Sequence, residues 1–320
     1  MKQIGIIAIL VAGLALAAIP VSGAIAKTAG DVAPVAGPVI HIEDVARFYK
    51  VFDAARGHPS AEALQRDYLD PGSPGLHRLA KLRDVTGARI ADEIAKHPEY
   101  YTNARRCMAV LPRVRERLKL VFRKLAALDP EARFPPVTVA VSRGKPVAVA
   151  DASGVMIGLE ALCAVTWMNP DVEDRFVHVI AHEYTHVQQA LLAPALYDKP
   201  NPTVLEVALV EGAAEFTAEL TSGETGEVSG SAFSARTKEH ENEIETAFVR
   251  DEDKTDLSKW FYNGTMTKPG DLGYWVGYRI VKSWYQHAPD KRGALRDILQ
   301  MTDAKAFLAR SGWYPGIRLK

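Results

Sequence analysis

Phe176-Val-His178-Val-Ile-Ala-His182-Glu183-Tyr-Thr-His186-Val-Gln-Gln189 is the stretch on which the reading of this chain turns. Within it, His182-Glu183-Tyr184-Thr185-His186 has the form H-E-x-x-H. Residues four apart on a helix stand one turn apart on one face. Imidazoles at 182 and 186 can therefore reach a single metal ion while Glu183 lies beside them, placed to hold a water. Zinc suits such a set, because neutral imidazole nitrogen is among its preferred ligands and a catalytic site leaves one position open. The segment Val172–Leu192 contains neither Gly nor Pro, and Phe176, Val179, Ile180, Val187 and Leu191 recur at helical spacing. Asn169-Pro170-Asp171 supplies a helix start, with Asn or Asp as cap. The bland alternative, two histidines on a polar helix face, fits this apolar context poorly.

His178 forms a second i, i+4 pair with His182, but Val179 stands where that pair would need its glutamate. At about 1.5 Å of rise per residue, His178 and His186 are roughly 12 Å apart and cannot share an ion. His178 therefore reads as a packing or supporting residue. The third ligand is expected downstream. Val187-Gln188-Gln189-Ala190-Leu191 lacks the H-x-x-G-x-x-H continuation of the metzincins. Instead, Val204-Leu-Glu-Val-Ala-Leu-Val-Glu211-Gly212-Ala-Ala-Glu215-Phe-Thr-Ala-Glu-Leu220 reads as a second helix, entered after Pro200-Asn201-Pro202 with Thr203 as cap. Glu211 and Glu215 share one face of it, and small Gly212, Ala213 and Ala214 allow close packing on the first helix. Glu211 fits the third ligand, and Glu215 fits a carboxylate that orients a ligating imidazole. The alternative, a solvated acidic face, is weakened by Val207, Leu209, Val210 and Phe216.

With these residues in hand, the chain resembles the gluzincin metallopeptidases, in which H-E-x-x-H is followed, after a loop, by a helix of the form found here as Glu211-Gly-x-Ala-Glu215. More narrowly, it is similar to predicted bacterial zinc-dependent proteases related to gliding-motility lipoproteins. Gly154-Val-Met-Ile-Gly-Leu-Glu160 and Gly273-Tyr274-Trp-Val-Gly277-Tyr278-Arg-Ile-Val281 carry the narrower likeness, which runs from Pro136 to Tyr285. The resemblance implies one zinc ion per chain with Glu211 as third ligand. It also implies a zincin-like core whose edge strand lies along the cleft and pairs with an extended peptide, a mode of binding with modest side-chain selectivity. No substrate comes with it.

The flanking sequence is consistent with an exported protein. Met1-Lys2-Gln3 precedes an uninterrupted apolar run, Ile4–Ile19, and Ala24-Ile25-Ala26 gives a small-x-small pattern before Lys27. Residues 1–26 read as a signal peptide cleaved after Ala26. The competing reading is an uncleaved membrane anchor, since Ile4–Ala26 is nearly long enough to span a bilayer. The 39 basic and 39 acidic residues balance, which argues against a nucleic-acid partner. Cys107 and Cys163 are the only cysteines. In an oxidising exterior they could pair, or remain two buried thiols.

Composition divides the remainder of the chain into a helical region, 27–135, and a core, 136–320. Lys27–Val39 is a small-residue linker. Helices are predicted over 44–56, 60–69, 86–97 and 100–127, with a break at Pro71-Gly72-Ser73-Pro74-Gly75 and with Pro112 kinking or splitting the last. The many Arg and Lys of 105–124 read as a solvated basic face rather than an anion site. After Pro135-Pro136, the runs 137–142, 146–150 and 155–158 are β-branched and punctuated by Gly and Pro, so they read as strands. Glu160 either reaches the site or caps the next helix. Ser222–Ser234 reads as a surface loop, Lys238–Arg250 as a charged helix, Leu272–His287 as an aromatic amphipathic helix, and Asp303–Ala309 as a short closing helix. On the aromatic helix Tyr278, or Tyr274 one turn before it, could donate to an oxyanion; two tyrosines capping a core is the other reading.

The expected fold is α+β, mostly helical, with a zincin-like core and a small mixed sheet. The expected chemistry is hydrolysis of peptide bonds in peptide or protein substrates outside the cytoplasm. His182, His186 and Glu211 would hold zinc, Glu183 would act as general base, and Tyr278 would serve the oxyanion. The rival readings are a non-catalytic envelope-assembly or binding protein on the same fold, and a zinc amidase acting on envelope material.

Overall fold

The structure is a computed structural model, and its described residues are 39–223, 226 and 228–319. The expected signal peptide, 1–26, and nearly all of the expected linker after it lie outside them. Among the described residues the fold is α+β, mostly helical with one four-stranded mixed sheet, as predicted.

The chain enters at β1 (Ile40–His41) and α1 (Glu43–Ala54), then α2 (Ala61–Leu64), which continues as one wide π-helical turn to Leu69. Next come α3 (Pro74–Arg83), α4 (Gly87–Lys96) and α5 (Pro98–Ala104). A 3-10 stretch, Arg105–Val110, leads into α6 (Leu111–Leu128). The helix expected over 100–127, kinked or split by Pro112, is split at the 3-10 stretch just before that residue, and Pro112 sits in the first turn of the last piece, where its missing N–H costs nothing. Helix α3 was not anticipated. Pro71–Gly75 does break the chain, but Ser73 caps a new helix through the Leu76 N–H (3.2 Å), with Pro74 opening it.

Strands β2 (Val137–Ala140), β3 (Ala148–Asp151) and β4 (Gly154–Gly158) fall where the β-branched runs predict them. The sheet order is β1-β2-β4-β3, with β1 and β4 parallel to β2, and β3 antiparallel to β4 on the outside. Strand β1, contributed by the helical region, is too short to read from sequence. Every residue of β2 and β4 is buried, because helices cover both sides.

The remaining helices are α7 (Leu159–Ala164), α8 (Val172–Leu192), α9 (Pro194–Tyr197), α10 (Val204–Ser222), α11 (Ser231–Thr237), α12 (Glu241–Asp251), α13 (Leu272–His287), α14 (Lys291–Leu299) and α15 (Ala304–Arg310). Helix α11 takes up the end of the expected loop, and α14 was not foreseen. Helix α8 is capped by Asp171, whose carboxylate accepts the N–H groups of Glu173 (2.8 Å) and Asp174 (3.1 Å). Helix α10 starts with a reciprocal box between Thr203 and Glu206.

The described residues form one compact unit with two main clusters of buried side chains. The first joins α1–α6, the sheet and α8, so the helical region and the sheet share a core. The second is built from α10, α13 and the C-terminal helices. Helices α8 and α10 lie against each other at the junction. Cys107 and Cys163 are joined as a disulfide, linking the 3-10 stretch to α7.

Candidate metal centre

Helices α8 and α10 bring their histidines and glutamates face to face. His182 and His186 project from one side of α8 toward Glu211 on α10. His182 Nε2 and His186 Nε2 are 3.1 Å apart, and Glu211 Oε2 lies 3.3 Å from the first and 3.1 Å from the second. The other nitrogen of each ring is already engaged. His182 Nδ1 is 2.9 Å from Glu215 Oε1. His186 Nδ1 is 2.7 Å from Gln189 Oε1, and the Gln189 amide donates to Val210 O (2.9 Å), which fixes its oxygen as an acceptor.

That network assigns the tautomers. Both rings carry their proton on Nδ1, so both Nε2 lone pairs face the Glu211 carboxylate. Three acceptors crowded within 3.3 Å repel one another unless a cation or a proton sits among them. Ligand atoms about 2.0–2.1 Å from a tetrahedral zinc stand about 3.3–3.4 Å apart, close to the separations found. The residues therefore fit a zinc ion, and among the described residues they form one of two His/Glu groups that could hold a metal.

The electrostatics agree. Burial works to lower the pKa of both imidazoles, but Glu211 and Glu215 outweigh it at His182, which is raised well above the ordinary value, and Glu211 raises His186. Burial works to raise Glu211 and Glu215, yet the imidazoles beside them hold both carboxyls well below their usual range. His186 and His182 act on Glu211, and His178 and His182 on Glu215. The centre is a buried set of compensating charges whose protons a metal ion can replace.

Glu183 is buried beside the set, and its carboxylate forms no hydrogen bond among the described residues. Burial pushes its carboxyl up, against the opposing pull of His186 and His182. A carboxylate raised this way is a competent proton acceptor near neutral pH.

Two tyrosines were candidates for the oxyanion, and only Tyr274 stands against the ligands. Its ring is nearly parallel to His182, 6.3 Å between centroids. The Tyr278 hydroxyl donates instead to Glu219 Oε1 (2.8 Å) and accepts from Lys282 Nζ (3.1 Å), two turns beyond Glu211 on α10. Glu160 does not join the site. It is buried under the 142–144 loop, where it accepts from Ser142 N (2.9 Å), Ser142 Oγ (2.6 Å) and Gly144 N (2.9 Å).

Two residues of the site, and one charge acting on it from outside, had escaped the sequence reading. Gln189, which orients His186, is legible in hindsight as i+3 on the ligand face. Tyr197 packs its ring 5.5 Å from His186, while its hydroxyl donates to Ala150 O on outer strand β3 (3.0 Å), linking that strand to the centre. Arg83, at the end of α3, brings a positive charge to bear on Glu183 and Tyr197. Neither of the last two carries a local signal.

A family model described as Predicted Zn-dependent protease (DUF2268) matches residues 137–306, more than half of the chain. No curated protein and no solved structure matches.

Proposed function

The chain belongs to the predicted Zn-dependent protease family, and on that premise we propose that it is an exported, gluzincin-type zinc metallopeptidase that hydrolyses peptide bonds. The observation that carries this is the convergence of His182 Nε2, His186 Nε2 and Glu211 Oε2 within 3.3 Å, with both Nδ1 atoms engaged elsewhere. This set would hold one zinc ion.

Zinc held there supplies a Lewis acid that polarises the scissile carbonyl and makes a water acidic enough to react near neutral pH. Glu183 takes the proton of the attacking water and delivers it to the departing amine. Tyr274, against His182, donates to the carbonyl oxygen as charge develops on it. Strand β3 is the outermost strand on its side of the sheet, where an extended peptide would pair, although the outward carbonyl of Ala150 already accepts from the Tyr197 hydroxyl. Glu183 also favours an enzyme over a binding protein on the same fold, because a centre kept only for binding needs no buried base. The Cys107–Cys163 bond supports the exported reading, since disulfides persist in oxidising compartments. Among the described residues no helix is long and apolar enough to cross a membrane.

Elemental analysis of the purified protein tests the ligand set. Wild type is expected to carry one zinc per chain and Glu211→Ala to lose most of it; a Glu211→Ala variant that keeps full zinc would remove Glu211 from the set.

A further inference from the structure

Glu215 lies between two imidazoles and is 1% exposed. Its Oε1 accepts from His182 Nδ1 at 2.9 Å, and its Oε2 faces His178 Nε2 at 3.4 Å. His178, one turn before His182 on α8, is itself 3% exposed. Neither nitrogen of His178 nor Oε2 of Glu215 has a partner with hydrogen-bonding geometry among the described residues. Gly226 closes the pocket from the other side. A Cβ there would come within 2.8 Å of His178 Cε1 and 2.9 Å of Glu215 Oε2.

A buried carboxylate oxygen left without a donor is costly, and the more so for a charged group. The donor beside Oε2 is His178 Nε2 at 3.4 Å, and a small turn of the imidazole brings its N–H into line. A carboxylate held at only one oxygen can also rotate about its last bond, and the ring it orients turns with it. Gripping both oxygens fixes its plane.

We propose that His178 is a positioning residue of the metal centre. It donates to Glu215 Oε2, which sets the carboxylate so that Oε1 takes the His182 Nδ1 proton and His182 Nε2 points at the metal. The proposal rests on His182 being a metal ligand. Its structural reach is a linear chain, His178–Glu215–His182, that couples a residue outside the ligand set to the geometry of the ion.

The test compares wild type, His178→Phe and His178→Gln by chelator competition for zinc, by the visible absorption of the cobalt-substituted proteins, and by melting of the metal-free forms. Loss of a partner that orients a ligand weakens metal binding about 10- to 100-fold. His178→Phe is expected to show that loss with a changed cobalt spectrum, and His178→Gln, which keeps an N–H donor, to recover part of both. Should His178→Phe not fold, His178→Asn, whose amide is too short to reach Oε2, takes its place with the same expectation. Wild-type zinc affinity and an unchanged cobalt spectrum in the donor-free variant would overturn the proposal. So would weakening that only tracks a lower melting temperature with the spectrum unchanged. Two ions per wild-type chain would overturn it as well, by making His178 a ligand. A wild type that takes up no zinc would instead overturn the metal reading on which the proposal stands.

Discussion

Gly212 of α10 and Gly277 of α13 meet backbone to backbone: a Cβ on Gly212 would overlap the Gly277 carbonyl carbon and the Tyr278 nitrogen, and one on Gly277 would overlap Ala208 O. Glu211 is the neighbour of Gly212, so the helix contact that closes the second core also sets where the third candidate ligand stands.

Gly277→Ala must push the two helices apart. Overpacking of this kind costs about 3 kcal/mol, read as a lower urea midpoint with an unchanged slope. Because α10 moves with it, zinc affinity is expected to fall too. A variant of wild-type stability would show that the helices do not pack this closely.

The charge balance at the centre predicts how zinc and protons compete. In the metal-free protein the His182 and His186 pKa values are raised by the neighbouring carboxylates, against burial. Groups raised in the folded state contribute stability that is fully present below the unfolded value of 6.5 and is lost as pH rises through the folded value. Glu211 and Glu215 are depressed, so their contribution is present above the unfolded value of 4.5 and lost as pH falls through the folded one. A zinc ion held by the two rings would take the place of their protons. The melting temperature of the zinc-loaded protein minus that of the zinc-free protein is therefore expected to widen between about pH 6 and pH 8. A gap that narrows over that interval would contradict the raised imidazole pKa values and the exchange of their protons for zinc.

Tyr274 and Tyr278 separate by the quantity each controls. Tyr274→Phe is expected to lower kcat about 100-fold with little change in KM, as for loss of one oxyanion donor. Tyr278→Phe is expected to leave kcat near wild type and to cost about 1 kcal/mol through the lost bond to Glu219. The reverse pattern in steady-state kinetics would return the oxyanion role to Tyr278.

These tyrosines also show what sequence carries and where it stops. The spacing of His182, His186, Glu211 and Glu215 is a property of helix faces, so it survives folding intact. The helices Val172–Leu192 and Leu272–His287 were readable to the residue because their apolar period is long and their flanking residues mark clear ends. Which face of α13 meets α10 is decided by Gly212 and Gly277 touching, a contact between distant segments. It places Tyr274 rather than Tyr278 beside His182. Tyr197 reaches the centre only through tertiary packing, and β1 is a pair of residues whose strand character comes wholly from its neighbour β2. Helix α3 was hidden because Pro74 and Gly75 look like a break when they are a start and a close approach: a Cβ on Gly75 would overlap the Thr138 side chain on β2.

The most direct measurement is zinc content and peptide turnover, on casein or a mixed peptide pool, for wild type and Glu183→Gln side by side. The carboxylate of Glu183 forms no bond that holds the ligands in place among the described residues, so the amide should leave the metal where it is. One zinc per chain in both proteins, with turnover in wild type reduced at least about 1000-fold in the variant, is the predicted result for loss of the general base. Equal turnover in the two proteins at equal zinc would contradict it.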